Sequence, residues 1–132
     1  MSSNEYYSAC DNVVKAKSFA FALRIVKLNR YLQEEKREFV LSKQLLRSGT
    51  AVGALVREAE QAESKADFTH KLAIALKEAN ETDYWIDLLH QSEIIDQKSF
   101  DSIKPNIVEL IKLLTSIIKT TRQNMAKMRT KN

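Results

Sequence analysis

Two Asp-x-x-His pairs, Asp67/His70 and Asp87/His90, are the residues whose types and spacing come nearest to metal or acid–base chemistry. A carboxylate and an imidazole three apart share one helical face. In carboxylate-bridged metal bundles, two helices supply inward carboxylates and the other two each supply a carboxylate–histidine pair. Here both pairs fall in one segment, 20 residues apart, which is about 30 Å along a helix. They cannot share a centre, so exposed polar pairs are expected and no metal or other cofactor is assigned. Nucleophilic chemistry fares no better. Cys10 stands with no evident base beside it. A single cysteine gives neither zinc spacing nor an internal disulfide, and suits a reduced, intracellular setting. Gly49 and Gly53 do not form a phosphate-cradling pattern. No catalytic residue emerges, and an enzyme is disfavoured.

The polar residues with more to say are Arg47 and Glu58 in one segment and Lys71, Lys77, Glu78 and Glu81 in the next. Glu78 and Glu81 are three apart and share a face. Arg47 can satisfy a carboxylate with two bonds from its fork. The plainer alternative is a solvated charged face. Tyr84 and Trp85 supply aromatic surface suited to a core or to an interface.

Charge is unevenly spread. The 132 residues hold 21 basic and 17 acidic side chains, a net charge of +4. Lys119, Arg122, Lys127, Arg129 and Lys131 crowd residues 119–132, which hold no acid, so the remaining body is close to neutral. Residues 13–37 are basic, with Lys15, Lys17, Arg24, Lys27, Arg30, Lys36 and Arg37 against Glu34 and Glu35. Residues 66–93 are acidic, with Asp67, Glu78, Glu81, Asp83, Asp87 and Glu93 against Lys71 and Lys77. A basic first helix can meet an acidic third across a subunit contact. It can equally track nucleic-acid phosphates, with Lys15, Lys17, Arg24, Lys27, Arg30, Lys127, Arg129 and Lys131 as the contacts.

These residues must be positioned by helices. Two glycines and one proline are too few turn residues for a sandwich or barrel. Four segments instead alternate apolar steps of three and four. The first, 13–35, runs through Val14, Ser18, Phe21, Ile25, Leu28 and Leu32. The second, 38–62, runs through Leu41, Leu45, Ser48, Val52, Leu55, Ala59 and Ala62. Ser64 reads as the N-cap of the third, with Asp67 in the capping-box place. That seam is Phe68, Leu72, Ala75, Ala79, Thr82, Ile86 and Leu89. After a break near 92–98, the fourth seam is Phe100, Ile103, Ile107, Leu110, Leu114 and Ile117. Pro105 either kinks this helix or opens it as a first-turn residue; the unbroken phase of the seam favours the kink.

Short connections favour an all-α, antiparallel up-down-up-down four-helix bundle over residues 13–122. Residues 1–12 read as a flexible N-terminal segment and 123–132 as a basic C-terminal tail. No stretch approaches the ~18 apolar residues of a membrane span, and residues 1–12 lack an apolar secretory run, so a cytoplasmic location is expected. Gly49 and Gly53, four apart, permit close approach of a backbone, within the bundle or from a neighbouring subunit.

Three pieces, QLLRSGT from Gln44, S-x-x-DF-x-x-K-L from Ser64 and KEA-x-ET-x-YW from Lys77, carry a family resemblance. The stretch that holds them, Gln44 to Leu89, covers about a third of the chain. The stretch resembles the four-helix-bundle proteins encoded within intervening sequences of bacterial 23S ribosomal RNA genes. Ala51 and Leu55 depart from it, standing where that family often has Ser and Asn. The resemblance implies an antiparallel bundle, a ring-like homopentamer, and a relationship to the accessory proteins of diversity-generating retroelements, which engage a reverse transcriptase and nucleic acid. By position, Arg47, Glu58, Lys71, Lys77, Glu78, Glu81, Tyr84 and Trp85 match its motifs, and with Gly49 and Gly53 they are expected to serve structure or assembly. The leading expectation is a non-enzymatic oligomer that binds RNA or an RNA-associated protein. A purely structural or protein-interaction module is the alternative, and a metal- or ligand-binding enzyme ranks third.

Overall fold

The computed structural model describes residues 9–130, with side chains from Asn12 onward. Four helices account for nearly all of it: α1 Ala9–Glu34, α2 Leu41–Ala59, α3 Lys65–Gln91 and α4 Gln97–Thr130. No strand occurs among the described residues. Each helix packs on its sequence neighbour, and α1 against α4 closes the square. The direction of each pair follows from its contacts. Lys15 meets Glu60 while Ile25 lies against Gly49; Lys17 meets Glu109 while Arg24 meets Ser102. Rising numbers on one helix thus meet falling numbers on its partner, which makes the bundle antiparallel.

The expected seams form the core. All seven positions of the third seam are buried, as are Val14, Ser18, Phe21, Ile25 and Leu32 of the first. Burying each large side chain contributes about 1.5–3 kcal/mol relative to exposure. Leu28, Leu41, Leu55 and Phe100 sit half-buried at its edge, while Val56, Ile95 and Ile118 join the core from outside the expected seams. Gly49 and Gly53 serve packing inside the bundle. A Cβ on Gly49 would lie 2.9 Å from Ile25 Cγ1, and one on Gly53 would lie 3.2 Å from the Ser18 carbonyl oxygen. Both are closer than the ~3.5–4.0 Å of a comfortable contact, so α1 approaches α2 this closely because the residues are glycine.

The helix ends are set by local chemistry. Ser64 caps α3, its hydroxyl accepting from the Asp67 amide at 3.0 Å, and the Asp67 carboxylate accepts from the Glu63 amide. The Glu38 carboxylate accepts the Ser42 amide at 2.8 Å, so α2 opens at Leu41 with Glu38 as its upstream cap, rather than at Glu38 itself. Asp96 accepts the Ser99 amide at 2.8 Å and starts α4. The end of α3 closes with Glu93 in the left-handed region at φ 65°, the Glu93 amide on His90 O and the Ile94 amide on Leu89 O. That is the Schellman arrangement with glutamate where glycine is preferred.

Two further boundaries differ from expectation, and Pro105 falls as the phase of its seam favoured. α1 begins at Ala9, so residues 9–12 are helical; residues 1–8 lie outside the described residues. α4 runs through Pro105 as one helix, so Pro105 does not open it as a first-turn residue, and it stands exposed, where its ring meets solvent. The basic stretch expected as a separate tail is also helical as far as Thr130. Met125 reaches back to Thr69 on α3, and Lys127 and Arg129 in the last turn suit the negative end of the helix dipole. No helix among the described residues is long and apolar enough to cross a membrane.

Candidate functional site

Between α2 and α3 the motif residues form one polar cluster. Arg47 Nη1 donates to Glu78 Oε2 at 2.8 Å and Nη2 to Glu81 Oε2, while the Trp85 indole N–H donates to the same Glu81 oxygen at 3.0 Å. Thr82 Oγ1 donates to Ser48 Oγ at 2.9 Å beneath it. The spacing of three to four residues brings Glu78, Glu81, Thr82 and Trp85 to the α2 side of α3. The Trp85 hydrogen bond, followed by Arg47, holds the Glu81 carboxyl below its ordinary 4.5 against the opposing effect of partial burial. Desolvation works against the Arg47 charge, yet Glu78 and Glu81 outweigh it and raise its pKa. Tyr84 stands exposed, edge-on to Trp85 with ring centroids 5.0 Å apart. This arrangement pins two helices together and presents an aromatic edge. Both carboxylates are paired with Arg47, and the two hydroxyls bond each other.

Along the flanks of α1 the cations divide. Lys15 is paired with Glu60 at 2.9 Å, and Lys17 with Glu109 at 3.1 Å. Arg24 instead donates only to neutral groups: the Ser102 carbonyl at 2.9 Å, the Ser102 hydroxyl at 2.6 Å and the Asn106 side-chain oxygen. Its charge is held in place without being neutralised. Lys27 and Arg30 form no ion pair among the described residues, and neither do Lys127 and Arg129 on α4. Lys131 lies outside the described residues. Of the expected phosphate contacts, Lys15 and Lys17 are therefore occupied within the bundle, and Arg24, Lys27 and Arg30 keep an uncompensated charge.

The outward surface of α1 is unexpectedly apolar. Phe19 and Leu23 are each 51% exposed and Val26 is 37% exposed. Phe19 and Ala22 face Gly53 and Ala54 across a groove of about 510 Å³ between α1 and α2, with Arg57 over the Phe19 ring at 5.4 Å. Glu58 lies at its rim. The regular spacing of Phe19, Leu23 and Val26 was available in the sequence, masked by the stronger seam on the opposite face.

The Asp/His pairs have other partners. Asp67 caps α3, and Asp87, with Asp83, receives Lys104 Nζ at 2.8 and 2.5 Å. Desolvation lowers the Lys104 pKa and the two carboxylates overcome it, leaving it above 10.5. His90 stacks on Phe100 with centroids 3.9 Å apart and bonds Gln97 at 3.0 Å; His70 stands exposed. No group of three metal-ligating side chains occurs among the described residues. Lys104 was not anticipated; its signal was Asp83 and Asp87 four apart, two like charges on one face that call for a cation. Lys71 and Lys77 lie on α3, and Lys77 adds to the positive field at Glu81.

Comparison with known proteins agrees with this geometry. A family model described as "23S rRNA-intervening sequence protein" matches residues 10–116. A crystal structure from Bacteroides thetaiotaomicron, described as a protein with unknown function from the S23 ribosomal protein family, is 59% identical in sequence. It superposes with a TM-score of 0.82, covering 83% of this chain and 98% of that one. Neither description names a reaction. No curated protein sequence matches the chain.

Proposed function

The chain belongs to the 23S rRNA-intervening sequence protein family, and we propose that it is a non-enzymatic, self-associating bundle that binds RNA or an RNA-associated protein in the cytoplasm. The observation that carries this reading is the division of the cations. Lys15, Lys17, Arg47 and Lys104 are spent on carboxylates, whereas Arg24, Lys27, Arg30, Lys127 and Arg129 have no ion-pair partner among the described residues. Such a residue set favours a polyanion, and the affinity comes from counterion release. Self-association is supported by the half-exposed Phe19 and Leu23 on α1; a ring of five copies is the size the family resemblance implies.

A salt titration of RNA binding tests the first part. Affinity should fall steeply and linearly on a logarithmic salt axis, with a slope of about −0.7 per phosphate contact on single strands. An affinity indifferent to salt, or no binding in dilute salt, would overturn it. Solution mass tests the second part, since a clean monomer at high concentration refutes assembly. The apolar groove beside Phe19 supports one further reading, a purely protein-docking module. That reading predicts a stable oligomer with no affinity for nucleic acid.

A further inference from the structure

The groove between α1 and α4 differs in kind from the one beside Phe19. It encloses about 600 Å³ and has Leu28 and Ile103 among its walls. Tyr31, 42% exposed, presents its ring at the α1 side. Arg24, Lys27 and Lys98 line it with positive charge, and none of the three has a carboxylate within ion-pair distance among the described residues. Of the acids adjoining Lys98 along the chain, Asp101 bonds Gln97 Nε2 at 2.8 Å, while Asp96, held on the Ser99 amide at 2.8 Å, feels the Lys98 charge and offsets part of it. The Ser102 hydroxyl accepts from Arg24 at 2.6 Å, which leaves its own proton free to donate into the groove.

Apolar walls, one exposed aromatic ring and three cations without an ion-pair partner among the described residues are the parts of a nucleotide site. A flat base can stack on Tyr31 beside Leu28 and Ile103, while its flanking phosphates meet Arg24, Lys27 and Lys98. Arg24 is suited to this because its fork is already held by Ser102 and Asn106 and loses little freedom on meeting a phosphate. A duplex cannot use such a site, since its bases are paired and stacked away from side chains. We propose that the α1–α4 groove, with Tyr31 as the stacking ring and Arg24, Lys27 and Lys98 as the phosphate contacts, holds an unpaired nucleotide of an RNA strand. The inference rests on the RNA-binding reading above and locates it.

Fluorescence anisotropy of a labelled single-stranded oligoribonucleotide against the full-length chain tests it, with helical content monitored by circular dichroism for each variant. Tyr31→Ala should weaken binding by about fivefold or more, and Tyr31→Phe should bind within about twofold of the native chain. Lys27→Glu with Lys98→Glu should weaken it by about tenfold or more and flatten the salt slope by about one to two phosphate contacts. A blunt duplex of the same length should bind far more weakly. Loss of binding in Lys127→Glu with Arg129→Glu, while all groove variants bind normally, overturns the groove and leaves RNA binding standing. Equal binding of the duplex, or displacement of the strand by millimolar inorganic phosphate, also overturns the nucleotide assignment. No binding by the native chain in dilute salt overturns both readings.

Discussion

Replacing Gly49 by alanine adds one methyl group where α1 and α2 come closest. The new Cβ would lie 2.9 Å from Ile25 Cγ1 and 3.0 Å from Cγ2, against the ~3.5–4.0 Å at which two carbons attract. Ile25 is fully buried and β-branched, so it has one favoured rotamer and no room to swing aside. The helices must separate by several tenths of an ångström, an overpacking that costs about 1–3 kcal/mol. Alanine returns about 1 kcal/mol through helix propensity. Gly49→Ala should therefore destabilise the bundle by up to about 2 kcal/mol, reversing what propensity alone dictates. On an Ile25→Ala background both offending carbons are gone. That change alone should cost about 2–5 kcal/mol, and adding Gly49→Ala should now stabilise by about 1 kcal/mol, with further gain from filling the cavity. Urea unfolding followed by helical circular dichroism measures all four corners of this cycle. Protein concentration must be held constant, because the proposed self-association would shift apparent stability. A stabilised Gly49→Ala in the native background, or a cycle with no coupling, would refute the close-approach argument.

Glu93→Gly should stabilise the bundle by about 1 kcal/mol, since glycine carries no penalty at the left-handed position closing α3; destabilisation measured by the same unfolding assay would count against it. Glu81 has a carboxyl held below 4.5 by Trp85 and Arg47. The stability it contributes is present above pH 4.5 and is lost as pH falls through the lower folded value. Glu81→Gln should flatten that part of the acid unfolding curve, and an unaltered curve would refute the pairing's role. Lys104→Met leaves Asp83 and Asp87 facing each other without a cation, at a cost of about 1 kcal/mol in dilute salt that shrinks in concentrated salt as the repulsion is screened. A cost that is the same at both salt concentrations would mean the lysine acts through packing alone.

The helices were legible because their seams are long and their third member is nearly uniform: Phe68 through Leu89 is buried at every expected step. The α3 cap was equally plain in Ser64 and Asp67, because capping needs two residue types at one fixed spacing. Pairings between helices were harder to see. Nothing local distinguishes Lys17, neutralised by Glu109, from Lys27, which keeps its charge. The difference is set by the register of α1 against α4, a property of two segments some 80 residues apart. The same holds for Lys104, whose partners lie on α3. The outward stripe of Phe19, Leu23 and Val26 was concealed for another reason. A helix apolar on two faces has a weak amphipathic signal, and a seam search keeps only the stronger face.

Those two faces explain how one helix can serve both proposed roles. Phe19 and Ala22 line the α1–α2 side of α1, whereas Arg24, Lys27 and Tyr31 line its α1–α4 side. Copies joined through the apolar side would leave the cationic groove open, so assembly and strand binding need not compete for surface. The arrangement also sets the affinity scale. One groove offering a single stacking ring and three cations binds weakly by itself. Several copies in one assembly would engage successive nucleotides of one strand, and each further engagement becomes intramolecular. Binding should then rise with strand length well beyond one nucleotide site. A variant such as Leu23→Glu, which disrupts the apolar face and spares the groove, should lose that length dependence while keeping the weak affinity for short strands. Anisotropy measured with short and long oligoribonucleotides on this variant reads both terms. Undiminished length dependence in a monomeric Leu23→Glu protein would show that assembly contributes nothing to binding.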